Sequence, residues 1–162
     1  MLASRLTESY VGDSDSRLTI MAKVIRAVLS IVAGLTLAGG LVVAVEVFSN
    51  VAYPPPPYAT QEEICAHVAA YPQWILAVAA VAWSATALAS TWTATRLGSR
   101  IPGIVVGLLL FLGVASNVAM LPYVLWFKVA VLVCVPIACL LGIFLPRRPA
   151  LAQGMPAATA AE

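Results

Sequence analysis

The chain has 162 residues, of which 62% are hydrophobic and only 10% charged, with a net charge of +2. A soluble domain carries about 25% charged residues, and a mean hydropathy of +0.97 lies far from that class. The length allows one domain. Together these values exclude an ordinary soluble domain and point to a polytopic membrane protein.

The first residues are polar and turn-rich up to Met21, where the text changes to Met-Ala-Lys-Val-Ile-Arg and then an apolar run. Residues 1–22 are expected to be a disordered extension, and Met21 resembles a natural start. The run that follows exceeds the 7–15 residues of a signal-peptide core and lacks a small-residue cleavage site, which argues against a cleaved leader. A helix needs roughly 20 apolar residues to cross about 30 Å of hydrocarbon. Val24 to Phe48, Trp74 to Thr95, Pro102 to Leu121 and Tyr123 to Leu145 each meet that length. The last two are separated by Pro122, which breaks the helical ladder and pushes the residue before it out of the α region. The prediction is an all-α, four-helix transmembrane bundle over residues 23–146, followed by an Ala- and Pro-rich disordered tail at 147–162.

Basic residues set the orientation. Arg5, Arg17, Lys23 and Arg26 precede the first span, Arg96 and Arg100 join the second to the third, and Arg147 and Arg148 follow the fourth. The loop 49–73 has no Lys or Arg and carries Glu62 and Glu63. The positive-inside rule then places both termini in the cytoplasm and the loop outside, as expected in a bacterial inner membrane. The basic residues are topology markers, and no basic–aromatic patch remains for nucleic acid.

Within the outer loop, Tyr53-Pro54-Pro55-Pro56-Pro57-Tyr58 predicts a short polyproline II segment. Thr60-Gln61-Glu62-Glu63 fits a capping box, with Thr60 as N-cap and Glu63 reaching back, and opens a short helix to about Tyr71. Glu63 and His67 would share a face of it. Trp74, Tyr53, Tyr58, Tyr71, Tyr123 and Trp126 gather at this boundary as an aromatic belt.

Cysteine and histidine counts are low. Cys134 and Cys139 lie in the fourth span as small apolar fillers, and Cys65 is alone outside. With a single histidine, His67, the three or four ligands of a zinc site are not assembled, so neither a metal nor a cofactor is expected. No nucleophile–base–orienter set appears either, and the chain reads as no enzyme.

Inside the spans, small residues recur at helical spacing: Ser30, Gly34 and Ala38 in the first, Ala77, Ala80, Ser84, Ala87 and Thr91 in the second, Gly103 and Gly107 in the third. Such stripes let helices approach closely, within a chain or between copies. Pro136 should kink the fourth span. Glu46, Asn50, Asn117 and Lys128 fall at one depth near the outer boundary, with Lys128 roughly 7.5 Å below the outer end of its helix. A lone charge there is costly, so an ion pair of Glu46 with Lys128 is the expected arrangement, and a proton or cation site at Glu46 is the functional alternative.

Val45-Glu46-Val47-Phe48-Ser49, Cys65-Ala66-His67-Val68, Tyr71-Pro72-Gln73-Trp74, Ser90-Thr91-Trp92, Met120-Leu121-Pro122-Tyr123 and Trp126-Phe127-Lys128 resemble an uncharacterised family of small bacterial four-helix integral membrane proteins. The resemblance spans about residues 22–145 and implies the fold without an activity. The function expected from the sequence is structural or accessory, through helix packing with the lipid bilayer, a second copy or a membrane-protein partner. The alternative is a small proton-coupled transporter or channel-like protein using Glu46.

The topology is directly testable. Reporter fusions after Arg100 and after Arg148 should read cytoplasmic, and one within Pro54 to Thr60 external. An external reading after Arg148 would mean an odd number of crossings.

Overall fold

A computed structural model describes the backbone of residues 2–145 other than 56, 58 and 59, and side chains from residue 17 other than 18. It is all-helical: α1 Leu2–Ala52, α2 Gln61–Ala69, α3 Gln73–Leu97, α4 Arg100–Met120 and α5 Leu125–Phe144. Four stretches are long and apolar enough to cross a membrane, namely Thr19–Ala52, α3, α4 and α5. Large apolar side chains such as Val51, Val81, Ile101 and Leu125 are exposed on their outer faces, a surface that only lipid would cover without cost.

One boundary differs from expectation. The backbone is helical from Leu2, where residues 1–22 were expected to be disordered. Extending an existing helix adds one hydrogen bond per residue without a new nucleus, so a polar segment can continue an apolar one. At about 1.5 Å per residue, Thr19–Ala52 alone reaches about 50 Å and must overhang a bilayer. The polyproline segment falls partly on residues outside the description, and the tail 147–162 lies wholly outside it. The break at Pro122 is as expected: Leu121 is extended (φ −108°, ψ 143°), and Tyr123 N donates to the Leu121 carbonyl at 2.9 Å, a tight turn around the proline.

α3 is the hub. It packs against α1, α4 and α5; α4 also touches α1 and α5, whereas α1 and α5 are not neighbours. The reason lies in the small residues of α3. Ser90, Thr91, Ala94 and Thr95 are buried, and they sit at steps that serve two sides of the helix at once. The threonines absorb their polarity locally, since Thr91 Oγ1 donates to the Ala87 carbonyl at 2.7 Å and Thr95 Oγ1 to the Thr91 carbonyl at 2.7 Å, whereas the buried Ser90 hydroxyl has no hydrogen-bond partner among the described residues. Facing them, Phe127, Val131, Val135, Cys139 and Gly142 of α5 repeat at three- and four-residue steps and form one stripe.

Glycines mark the closest approaches. A Cβ at Gly34 would lie 3.0 Å from Ala94 Cβ and 3.1 Å from the Ser90 carbonyl oxygen. At Gly142 it would lie 2.7 Å from the Leu88 oxygen and 3.0 Å from Trp92 N, both of them backbone. At Gly113 it would meet nothing within 4 Å. The bundle is therefore tight at the end bearing the α3–α4 turn and looser towards the end that carries α2. At the tight end Arg26 Nε donates to the Leu97 carbonyl at 2.7 Å, placing a cation on the carboxyl end of α3, where the helix dipole favours it.

Gly142→Ala should lower thermal stability in detergent by about 1–3 kcal/mol, the range for overpacking a filled site. Gly113→Ala should leave it unchanged or raise it by about 1 kcal/mol, since alanine is the better helix former. Equal effects at the two glycines would contradict the tight α3–α5 seam.

Candidate functional site

The looser end is built from a local capping motif upwards. Thr60 Oγ1 accepts from Glu63 N at 3.3 Å while Glu63 Oε2 accepts from Thr60 N at 2.7 Å, completing the capping box that the sequence spells out. This fixes where α2 starts and which face it turns inward. Val68 is the buried residue of that face, and His67 stacks on Tyr53 (centroids 4.5 Å, planes 17° apart) and meets Tyr71 edge-on at 5.2 Å. The Glu63 carboxylate is thus occupied by the cap, and His67, on the same helix face, packs against two phenol rings. Its Nε2 is buried without a hydrogen-bond partner among the described residues.

Beneath α2 lies a cavity of about 420 Å³, within the size range of small-molecule sites. α1 contributes Glu46, Ser49 and Asn50; α2 contributes Ile64, His67 and Val68; α3 contributes Ile75, Leu76, Ala79 and Trp83. Tyr71, Tyr123, Asn117 and Phe127 complete the wall. The rings interlock: Trp83 meets Phe127 edge-on at 5.7 Å, and Tyr123 lies 4.9 Å from Phe127. Among the described residues no Lys or Arg lines the cavity, and Glu46, exposed on α1, is its single carboxylate, facing a wall of mixed aromatic, aliphatic and amide groups. Burial pushes the Tyr71 hydroxyl up, with the Glu46 carboxylate and Tyr53 adding to the effect. Burial and nearby Tyr71 push Tyr123 up to about 12. Both phenols are therefore neutral donors over the whole physiological range. Among the described residues no three of His, Cys, Asp and Glu converge as metal ligands would.

A second cavity of about 250 Å³ lies one turn further into the bundle, between α1, α3 and α4, with Val135 of α5 on its wall. It is lined by Val42, Thr86, Leu109, Leu110, Gly113 and Val114 among others, and it shares Val42, Trp83 and Asn117 with the first.

The structure brings together Glu46, Asn50 and Asn117 from the predicted polar cluster, on one cavity wall. It does not bring Lys128 to them. Lys128 is absent from the cavity lining, and α1 and α5 lie on opposite sides of the α3–α4 pair. Equal depth on two helices does not bring side chains together when a third helix stands between. Sequence reasoning missed Trp83 and Phe127 as walls. Trp83 continues the spacing of Leu76, Ala79 and Ala87, a signal that marks an inward face without saying that the face borders a cavity.

No family model, curated protein or solved structure matches this chain.

The separation of α1 from α5 makes a thermodynamic cycle informative. The stability effects of Glu46→Gln and Lys128→Met should add within about 0.5 kcal/mol, as independent sites do. A coupling of 1 kcal/mol or more, measured by thermal unfolding of all four proteins in detergent, would restore the ion pair.

Proposed function

We propose that the protein is a small solute-binding membrane protein of transporter or channel type, in which Glu46 holds a cation or a proton in an outward-facing vestibule. The observation that carries this reading is one carboxylate, with no Lys or Arg beside it among the described residues, on the wall of a cavity of about 420 Å³ that includes Trp, Tyr and Phe rings. A carboxylate supplies the charge complement of a cation, and the faces of Trp and Tyr rings add cation–π attraction of about 0.5–2 kcal/mol each. His67, Tyr71 and Tyr123 are the other titratable groups on the wall, and the two phenols contribute hydrogen bonds rather than charge. An acidic group that serves structure alone would be expected to carry a partner, because charge at membrane depth is costly.

The outward direction of the vestibule follows from the distribution of Lys and Arg, and belongs to the same proposal, together with an inner-membrane location and cytoplasmic termini. So does membership of the small bacterial four-helix family. A structural or accessory role would draw on the small-residue stripes. Here Gly34, Thr91, Gly103, Gly107 and Gly142 meet other helices of the same chain, so these stripes are accounted for without a partner.

The test uses the full chain in lipid nanodiscs with tetramethylammonium as the probe. Wild type should bind it, and Glu46→Gln should weaken binding at least tenfold, about 1.4 kcal/mol. Lys128→Met should leave affinity within twofold. Absence of binding in wild type, or equal binding by Glu46→Gln, overturns the reading.

A further inference from the structure

The vestibule and the cavity below it differ sharply in chemistry across the three residues they share. Above Val42, Trp83 and Asn117 the wall offers the Glu46 carboxylate and the Tyr71 and Tyr123 phenols. Below them it is nearly all hydrocarbon. The one hydroxyl there, on Thr86, already donates to the Ala82 carbonyl at 2.8 Å. A polar group placed in the lower cavity would lose water and find few partners beyond the Asn117 amide and the Trp83 indole at its upper rim, so this space suits an apolar chain. Gly113 keeps it open, since a Cβ added there meets no atom within 4 Å.

We propose that the two cavities form one bipartite site for a single-tailed amphiphile with a cationic head, the head held at Glu46 and the tail running past Trp83 into the space beside Gly113. This rests on the assignment of Glu46 as the cation site and adds the class of ligand. Trp83 borders both compartments, so its ring flanks the junction of head and tail. Asn117, also common to both, supplies an amide at the same level. The competing occupant of the lower cavity is an acyl chain of the surrounding bilayer, and the test distinguishes the two.

The experiment measures binding of alkyltrimethylammonium ions, from ethyl to hexyl, to the full chain in nanodiscs, with empty nanodiscs subtracted. In wild type each added methylene should raise affinity about fourfold, the worth of one buried methylene. In Gly113→Phe the ethyl compound should bind as in wild type while the dependence on chain length disappears. Gly113→Leu, a smaller plug, should cut that dependence short at an intermediate length, and it serves equally if the phenylalanine variant fails to fold. In Glu46→Gln the whole series should bind at least tenfold more weakly. Binding of the ethyl ion with no gain from longer chains in wild type overturns the tail compartment alone and leaves the cation site standing, as a lipid-filled lower cavity requires. Chain-length dependence that survives in both Gly113 variants overturns it as well. Failure of the ethyl ion itself to bind wild type removes the cation site on which the proposal rests.

Discussion

Everything in this bundle depends on how closely three helices approach α3 at one end. The Leu88 carbonyl and the Trp92 amide lie 2.7 and 3.0 Å from where a Cβ of Gly142 would stand. Gly34 approaches Ala94 and Ser90 almost as closely from the other side. In lipid there is little hydrophobic drive between helices, so association rests on such contacts and on satisfied polar groups. The buried threonines of α3, Thr86, Thr91 and Thr95, meet the second demand, because each hydroxyl donates to a carbonyl one turn earlier. Small residues continue along α3 towards α2, at Ala85, Ser84, Ala80 and Ala79, but around the vestibule large rings stand among them: Trp83, Phe127, Tyr123 and Tyr71. Large rings on a hub that is pinned below force the helices apart above, and the vestibule is the space that results.

That space changes the energetics of Glu46. A carboxylate facing lipid would carry a heavy penalty, with published scales spread from a few kcal/mol upward. Glu46 instead stands about 9 Å from the end of α1, at 1.5 Å per residue, on the wall of a cavity that also bears amide and phenol groups. Hydration through an open vestibule replaces an ion pair as the means of keeping a charge at that level. Among the described residues no Lys or Arg lines that cavity, so no cation there offsets the field of the carboxylate. The carboxylate also helps hold Tyr71 protonated, so the phenol faces the cavity as a donor.

The number of long apolar helices, the break at Pro122 and the Thr60–Glu63 cap were legible, because each depends on local chemistry over fewer than about 25 residues. The partnership of Glu46 was not. Depth along a helix is readable from residue counts, but rotation and neighbour order are set by which stripes interlock. The order here, with α3 and α4 between α1 and α5, follows from α3 having small residues on two sides, and a linear text does not rank those sides. The surroundings of His67 were not legible either. The cap consumes Glu63 one helical turn earlier, and Tyr53, from beyond the proline run, supplies the stacking surface. The amino-terminal segment shows the converse error, since its polar composition suggested an unstructured extension where the backbone continues α1.

The two walls of the vestibule are not held alike. On the α5 side, Phe127 is buried and touches Trp83, Tyr123 and Trp126 by ring contacts, so that wall is packed along its height. On the α1 side, the buried positions are Ser30, Gly34 and Ala38, all below the cavities. Beyond Ala38 the helix meets the rest of the bundle through residues that line open space, Val42, Val45, Glu46 and Ser49. The edge-on contact of Phe48 with Trp74 at 6.5 Å and the Tyr53–His67 stack tie its far end to α3 and α2. Glu46 is therefore carried on the less densely packed wall, between a glycine-tight anchor and an aromatic clasp. Change in cavity width would be taken up by α1, moving the carboxylate relative to a fixed aromatic face. A rigid ring wall opposite a charged wall of lower packing density separates the two demands on the site: the rings set shape, and the carboxylate sets charge.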